Sequence, residues 1–402
     1  MTIQEYVDYN LPRSIRYNPE DYGVRYGLPY PYIIPSVADM FQEMYYWDTY
    51  FANTGLIIRG DIEQAKNNAD NLLYLLERFG YVPNGNHQYL SYNSQPPLLA
   101  SMIREIYDVT HDITWLEHAY ELLKRENQFW TQKRATEYGL SRYDCEKLPT
   151  DWIECDSAAI VARLKFRPEG KSDVELARGY RSSGESGWDL CPRLNWETYN
   201  YLPVDLNAIL CGQEIQLAYF AHELGKTEEK TVWQEKSDKR VELMRKYLKN
   251  EQGIFDDYHM PTGKHSGIVS VASFFPLYFQ IATKEEAEIM RSALPRIEME
   301  YGVVACEQSE FPGTYQWGYP NGWPPLQRIV VQGLMNYGYQ EDAQRIAKKY
   351  VELVEVCFEK TGHLWEKYNV VDGNVEVTNE YQMPAMLGWT FGTYYLFAKM
   401  LK

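Results

Sequence analysis

Helical periodicity recurs along almost the whole chain, and it limits the architectures open to it. After Pro203, the residues Leu206, Ile209, Leu210, Leu217, Phe220 and Leu224 fall on one helical face, with Asp205 placed as an N-cap and Gly225 as a stop. From Glu341 onward, Ala343, Ile346, Ala347, Tyr350, Val354 and Phe358 form a second stripe that ends at Gly362. Ser94-Gln95-Pro96-Pro97, followed by Leu98, Met102, Ile103 and Ile106, reads as a capped start with proline in the first turn. Comparable segments lie near 40–58, 62–79, 114–132, 228–249, 269–282, 284–294, 325–338 and 384–401, so ten to twelve helices are expected. Strand signals are sparse; a small hairpin around Asp372-Gly373 is the clearest. Long loops near 83–95, 165–200, 302–324 and 363–383 carry most of the Gly, Asn, Trp and Pro. Short loops at one end and long polar-aromatic loops at the other predict an all-α helical toroid with its site at one mouth. No low-complexity linker or sequence repeat divides the chain, so 1–402 reads as a single catalytic domain with an N-terminal extension over 1–35.

Charge narrows the partners. A formal net charge of −16 argues against nucleic acid, because phosphate binding needs clustered Lys and Arg. No apolar run is long enough to span a membrane, and the first residues carry neither the basic start nor the apolar stretch of a secretory signal. The six cysteines are scattered, with no CxxC pair, which fits neither the common zinc spacings nor a disulfide framework. A cytoplasmic protein with reduced thiols, no metal and no cofactor is the expectation.

The chain carries 35 Tyr and 11 Trp, many beside Gly, Asn, Asp or Gln rather than on apolar faces. Such mixed clusters suit sugars, which have apolar faces to stack and hydroxyl edges to bond. Carboxyl groups sit within these clusters. A carboxyl shielded from water beside Trp keeps its proton to higher pH, as a general acid must. Asp189, after Gly187-Trp188, fits that description. Hydrolysing a glycoside needs a second carboxylate, and Glu366 and Glu380 are both candidates for it.

Five motifs in order resemble those of the trehalases of glycoside hydrolase family 37. Trp47-Asp48-Thr49-Tyr50 is similar to the end of the family's first signature. Asn84-Gly85-Asn86 with Asn93-Ser94-Gln95-Pro96-Pro97 is the second motif, and Arg167-Pro168-Glu169 leading to Glu185-Ser186-Gly187-Trp188-Asp189 is the third. Gln316-Trp317 and Pro320-Asn321-Gly322-Trp323-Pro324 resemble the family's second signature. Glu366-Lys367-Tyr368-Asn369-Val370, then Glu380-Tyr381 and Gly388-Trp389-Thr390, resemble its closing segments. The resemblance runs from about residue 37 to 392. It implies an (α/α)6 barrel of the six-hairpin glycosidase type and inversion at the anomeric carbon. It also implies Asp189 as acid and Glu366 as base, with the carboxyls roughly 6.5–9.5 Å apart to admit a water. Phe41, Trp47, Asp48, Asn84, Gln95, Arg167, Glu169, Gly187, Trp317, Trp323 and Glu380 are implied as sugar contacts, with Glu380 as the competing base. No metal is implied.

The departures are specific. Met40 and Asn93 stand where the family has arginines, and Gly318 where it has Asp. An Arg fork fixes sugar hydroxyls in a way Met cannot. The sequence therefore reads as an inverting α-glycosidase acting on a small α-glucoside, α,α-trehalose among the candidates. An α-glucosidase of family 63-like specificity is the alternative. A sugar epimerase would need a pair of histidines, and only His87 lies in a motif-bearing loop. A sugar-binding pseudo-enzyme would have no need of both Asp189 and Glu366.

Overall fold

A computed structural model describes every residue of the chain except Asp39, Pro312 and Thr314. Its helices divide into two kinds by how many sides they bury. Val204–Glu223 (α8, counting along the chain) buries every residue from Val204 to Glu214, so its first three turns have no solvent face. Gln340–Thr361 (α13) buries one stripe, including Ala343, Ile346, Tyr350, Val354 and Phe358, and exposes the opposite side. The first pattern belongs to an inner wall and the second to an outer layer.

Six helices make the inner wall: Tyr46–Arg59 (α2), Leu99–Thr110 (α4), α8, the short Phe275–Tyr278 (α10), Pro324–Asn336 (α12) and Gly388–Met400 (α14). Each touches the next in that order, and α14 returns to α2, closing the ring. Ile62–Phe79 (α3), Ile113–Gln132 (α5), Thr227–Tyr247 (α9), Lys284–Ala293 (α11) and α13 alternate with them along the chain on the outside. The helix Ile3–Asn10 (α1) takes the sixth outer place: Tyr6 meets Phe358 edge-on, and Tyr395 donates to Gln4. This is an (α/α)6 toroid. At the closing seam a methyl group on Gly392 would lie 2.0 Å from the Phe51 carbonyl oxygen, so α2 and α14 cross backbone to backbone. Among the described residues no helix is long and apolar enough to cross a membrane.

Several expectations need correction. The segment 165–200 is not one loop: Thr150–Leu164 (α6) and Asp173–Ser186 (α7) form a hairpin inserted between α5 and α8. Its second helix starts with a capping box, Ser172 and Glu175 each bonding the other's backbone N–H. Asp205 is not an N-cap; it lies in the first turn of α8 and binds buried Arg193. Ser94 does not cap α4, which begins at Leu99; its hydroxyl donates to the Val82 carbonyl. Around Asp372-Gly373 a single bridge, Asn369 with Asn374, closes the expected turn, while Tyr368–Asn369 pairs with Asn321–Gly322.

Candidate active site

Three inner helices, α2, α12 and α14, begin at one mouth of the toroid. Trp47 and Asp48 open α2, Trp323 precedes α12 as its N-cap, and Trp389 is the second residue of α14. Between them lies a cavity of about 330 Å³, within the range of small-ligand sites. Its floor is indole. Trp317 stacks on Trp323 with centroids 3.7 Å apart, Trp47 and Trp188 flank Trp317 at 5.6 and 5.7 Å, and Trp389 meets Trp323 edge-on.

The second motif is laid against the first by hydrogen bonds. Tyr46 N–H donates to the Asn84 carbonyl, Met44 N–H to the Asn86 side chain, and Trp47 N–H to Gln95 Oε1. Gly187 ends α7 with φ +73°, and a methyl group there would stand 2.8 Å from the Trp47 indole. The next turn delivers Asp189, itself at φ +44°, a conformation that Asp tolerates better than most residues. The loop is held from below by Arg193. Its guanidinium is fully buried, binds Asp257 and Asp205 at 2.8 Å and lies 4.4 Å from the Trp188 ring.

Asp189 faces the cavity with about a third of its side chain exposed to it (32%). Gln316 Nε2 donates to its Oδ2 at 3.2 Å, and the Arg163 guanidinium lies 3.7 Å from the same oxygen. Arg163 also pairs with the buried Glu380 at 3.1 Å, so one cation serves two carboxyls. Burial raises the pKa of Asp189, with Arg163, Gln316 and Lys367 pulling the other way. Burial, and then the neighbouring Asp189, raises that of Glu380. Two carboxyls around one arginine titrate as a pair, and the shared upward direction favours a proton held between them.

Glu366 lines the same cavity in a different setting. Lys367 Nζ donates to its Oε2 at 2.7 Å, Tyr381 OH to its Oε1 at 2.8 Å, and the Trp389 indole N–H to its backbone carbonyl. Both members of the Glu366–Lys367 pair are buried, and Lys367 Nζ lies 4.7 Å from the centre of the Trp323 ring. Each carboxylate oxygen of Glu366 thus already accepts a donor.

Asp48 completes the acidic set. Burial first, and then the charge of Glu366, push its pKa up to about 8. An aspartate in an unfolded chain titrates near about 4. Between those values the folded protein holds a proton that the unfolded chain has released. Its stabilising effect is therefore complete below about pH 4 and is lost as pH climbs through about 8. We expect melting temperature to fall across that window, and Asp48→Asn to flatten the fall. An unchanged slope in the variant would refute the assignment.

Phe41, Trp47, Asp48, Asn84, Gln95, Gly187, Asp189, Trp317, Trp323 and Glu366 all line this cavity. Glu380 reaches it through Arg163. Arg167 and Glu169 do not line it: both are exposed, with Arg167 bound to Asp173 at 2.8 Å. The chain leaves α6 at Leu164, so the helix carries Arg163 to the cavity while the loop turns Arg167 outward. Gln316, Lys367 and Tyr381 fall within the sequence motifs without an expected role, and Arg163 lies outside every motif. The capping box at Ser172 and Glu175 was the signal that would have revealed the hairpin and, with it, Arg163. Among the described residues no group of three His, Cys, Asp or Glu side chains is arranged to hold a metal ion.

A helical toroid whose indole-floored cavity is lined by several carboxyls suits an enzyme that cleaves glycosides. The family model described as Trehalase matches residues 7–402, and the chain belongs to that family of glycoside hydrolases. Among solved structures it is similar to neutral trehalase Nth1 from Saccharomyces cerevisiae. That match has 26% identity and a TM-score of 0.79, covering 93% of this chain and 74% of the yeast chain. A mannosylglycerate hydrolase of glycoside hydrolase family 63 from Thermus thermophilus shares the fold. It has 16% identity and a TM-score of 0.64, covering 91% of this chain and 96% of that one.

Proposed function

We propose that the protein hydrolyses a small neutral α-glucoside with inversion, Asp189 acting as general acid and Glu366 as general base. The observation that carries this reading is the pairing of unlike carboxyls in one cavity. Asp189 sits where burial favours its protonated form, and Glu366 is matched by a buried ammonium. In the reaction, the Asp189 proton passes to the glycosidic oxygen as the bond to the anomeric carbon breaks. Glu366 draws a proton from a water that attacks the opposite face of the ring. Gln316 and Arg163 orient the acid, and Tyr381 and Lys367 hold the base. The indole floor offers the sugar ring a flat apolar surface.

The yeast neighbour, a trehalase by name, makes α,α-trehalose a natural first substrate to assay. Unpaired cysteines fit work in a reducing compartment such as the cytoplasm. The test is the stereochemistry of the product. Proton NMR during the first minutes of turnover is expected to show the attacked glucose emerging as the β-anomer. From trehalose this means α- and β-glucose in equal initial amounts. Initial release of the α-anomer alone would contradict inversion.

A further inference from the structure

One carboxyl of the acidic set does not line the cavity. The Glu380 side chain is fully buried, accepting from the Gln316 backbone N–H at 3.3 Å and from Arg163 Nη1 at 3.1 Å. Whatever it contributes to the reaction passes through those partners, and both also serve Asp189. Gln316 Nε2 donates to Asp189 Oδ2 at 3.2 Å, and Arg163 Nη1 lies 3.7 Å from that oxygen. The guanidinium therefore stands between two carboxyls, nearer to the one that does not face the cavity.

Charge counting shows what this asymmetry does. One cation and two carboxyls are neutral together when one proton is held between them. Without Glu380, Arg163 and Asp189 would be neutral with no proton at all, and the acid would enter the reaction already ionised. Without Arg163, two carboxyls would be buried with no counter-charge, and each would hold its proton more tightly. Other groups also face the trio. Tyr45 and Asp48 at the start of α2, Tyr180 on α7, and Lys367 and Tyr381 between α13 and α14 interact with the charge of Asp189, and Tyr315 with that of Glu380. Lys367 is matched by Glu366, while burial raises the pKa of Asp48 and of the four tyrosines and keeps them uncharged at neutral pH. Among the described residues, that leaves Arg163 and Glu380 to set the charge beside the acid.

Resting on the acid–base reading above, we infer that Glu380 is a positioning residue: it holds Arg163 as its counter-ion and so leaves Asp189 the proton it must deliver.

The test is the pH dependence of kcat/KM for α,α-trehalose, whose basic limb reports the acid of the free enzyme losing its proton. In Glu380→Gln the limb is expected to move down by about one pH unit or more, because Arg163 turns to Asp189. In Arg163→Met it is expected to move up by a similar amount, and in the double variant to return toward the wild-type position. Loosened packing would lower activity without displacing the limb in opposite directions. Glu380→Asp, which keeps the charge, should leave the limb near its wild-type place. A limb unmoved in both single variants would overturn the inference and leave Asp189 as the acid. Loss of activity at every pH in a folded Glu380→Gln would overturn it too, since Glu380 would then act on substrate or water directly. Should that variant not fold, Arg163→Met decides, and a limb that fails to rise there overturns the inference. A basic limb that persists unmoved in Asp189→Asn would instead remove Asp189 as the acid, and this inference with it.

Discussion

Asp189→Asn should lower kcat on α,α-trehalose by about 10²–10⁴, the usual range for a lost general acid. The fold should survive. Asn is as tolerant as Asp of a left-handed backbone, so φ +44° is kept without new strain. Gln316 Nε2 still finds an oxygen to donate to, and Arg163 keeps Glu380 as its counter-ion. The loss should depend on the leaving group. With 4-nitrophenyl α-D-glucopyranoside, whose phenolate departs without a proton, the variant should keep far more of its activity than with trehalose. Equal losses on both substrates would mean that Asp189 does not supply the proton, and wild-type turnover would remove it from the mechanism. Near-ultraviolet circular dichroism and the melting temperature serve as the check on folding.

Glu366→Gln should remove activity to a similar extent, but at a cost to the fold that Asp189→Asn does not carry. Lys367 is fully buried with Glu366 as its ion-pair partner, so an uncharged amide leaves an ammonium uncompensated in a low-dielectric setting. Breaking such a pair on one side typically costs about 3–5 kcal/mol. The double substitution Glu366→Gln with Lys367→Met separates the two effects. The methionine would lie against Trp323 and Tyr381, the rings that Lys367 already packs over, and stability should return toward that of the wild type. Activity should not return. A stable double variant that hydrolyses glucosides would exclude Glu366 as the base and direct attention to Glu380. Urea unfolding of the four proteins in the cycle, with turnover measured on each, gives both readouts.

The ring was legible in the sequence because outer helices must be amphipathic. The stripe from Ala343 to Phe358 announces α13 without help from tertiary structure. Inner helices gave a blurred signal for the opposite reason. α8 buries its polar residues Asp205, Asn207, Gln213 and Glu214 along with its apolar ones, so the single apolar face expected of it describes only part of what is covered. That Asp189 lines the cavity was legible from chemistry, since Gly187, Trp188 and Asp189 adjoin in sequence. The arginine beside it was not. Arg163 reaches Asp189 and Glu380 across 26 and 217 positions, and only the path of α6 brings it there. Motif resemblance favoured Arg167 instead, four residues further on, where the chain has already turned to solvent.

The inserted hairpin, α6 with α7, packs Ile160, Leu164 and Leu176 against Leu190, Trp196 and Tyr315 from outside it, in a cluster separate from the main core. It supplies Arg163 and leads into Asp189, whereas Glu366, the proposed base, lies between α13 and α14. The proposed acid and base therefore come from different parts of the chain, and the hairpin is keyed to the rest of the site through Gly187 on Trp47 and Arg163 on Glu380. Exchanging residues on the hairpin would have to preserve those two contacts, because they fix the hairpin against the ring. A grafted hairpin would be a natural starting point for redirecting this scaffold to other leaving groups.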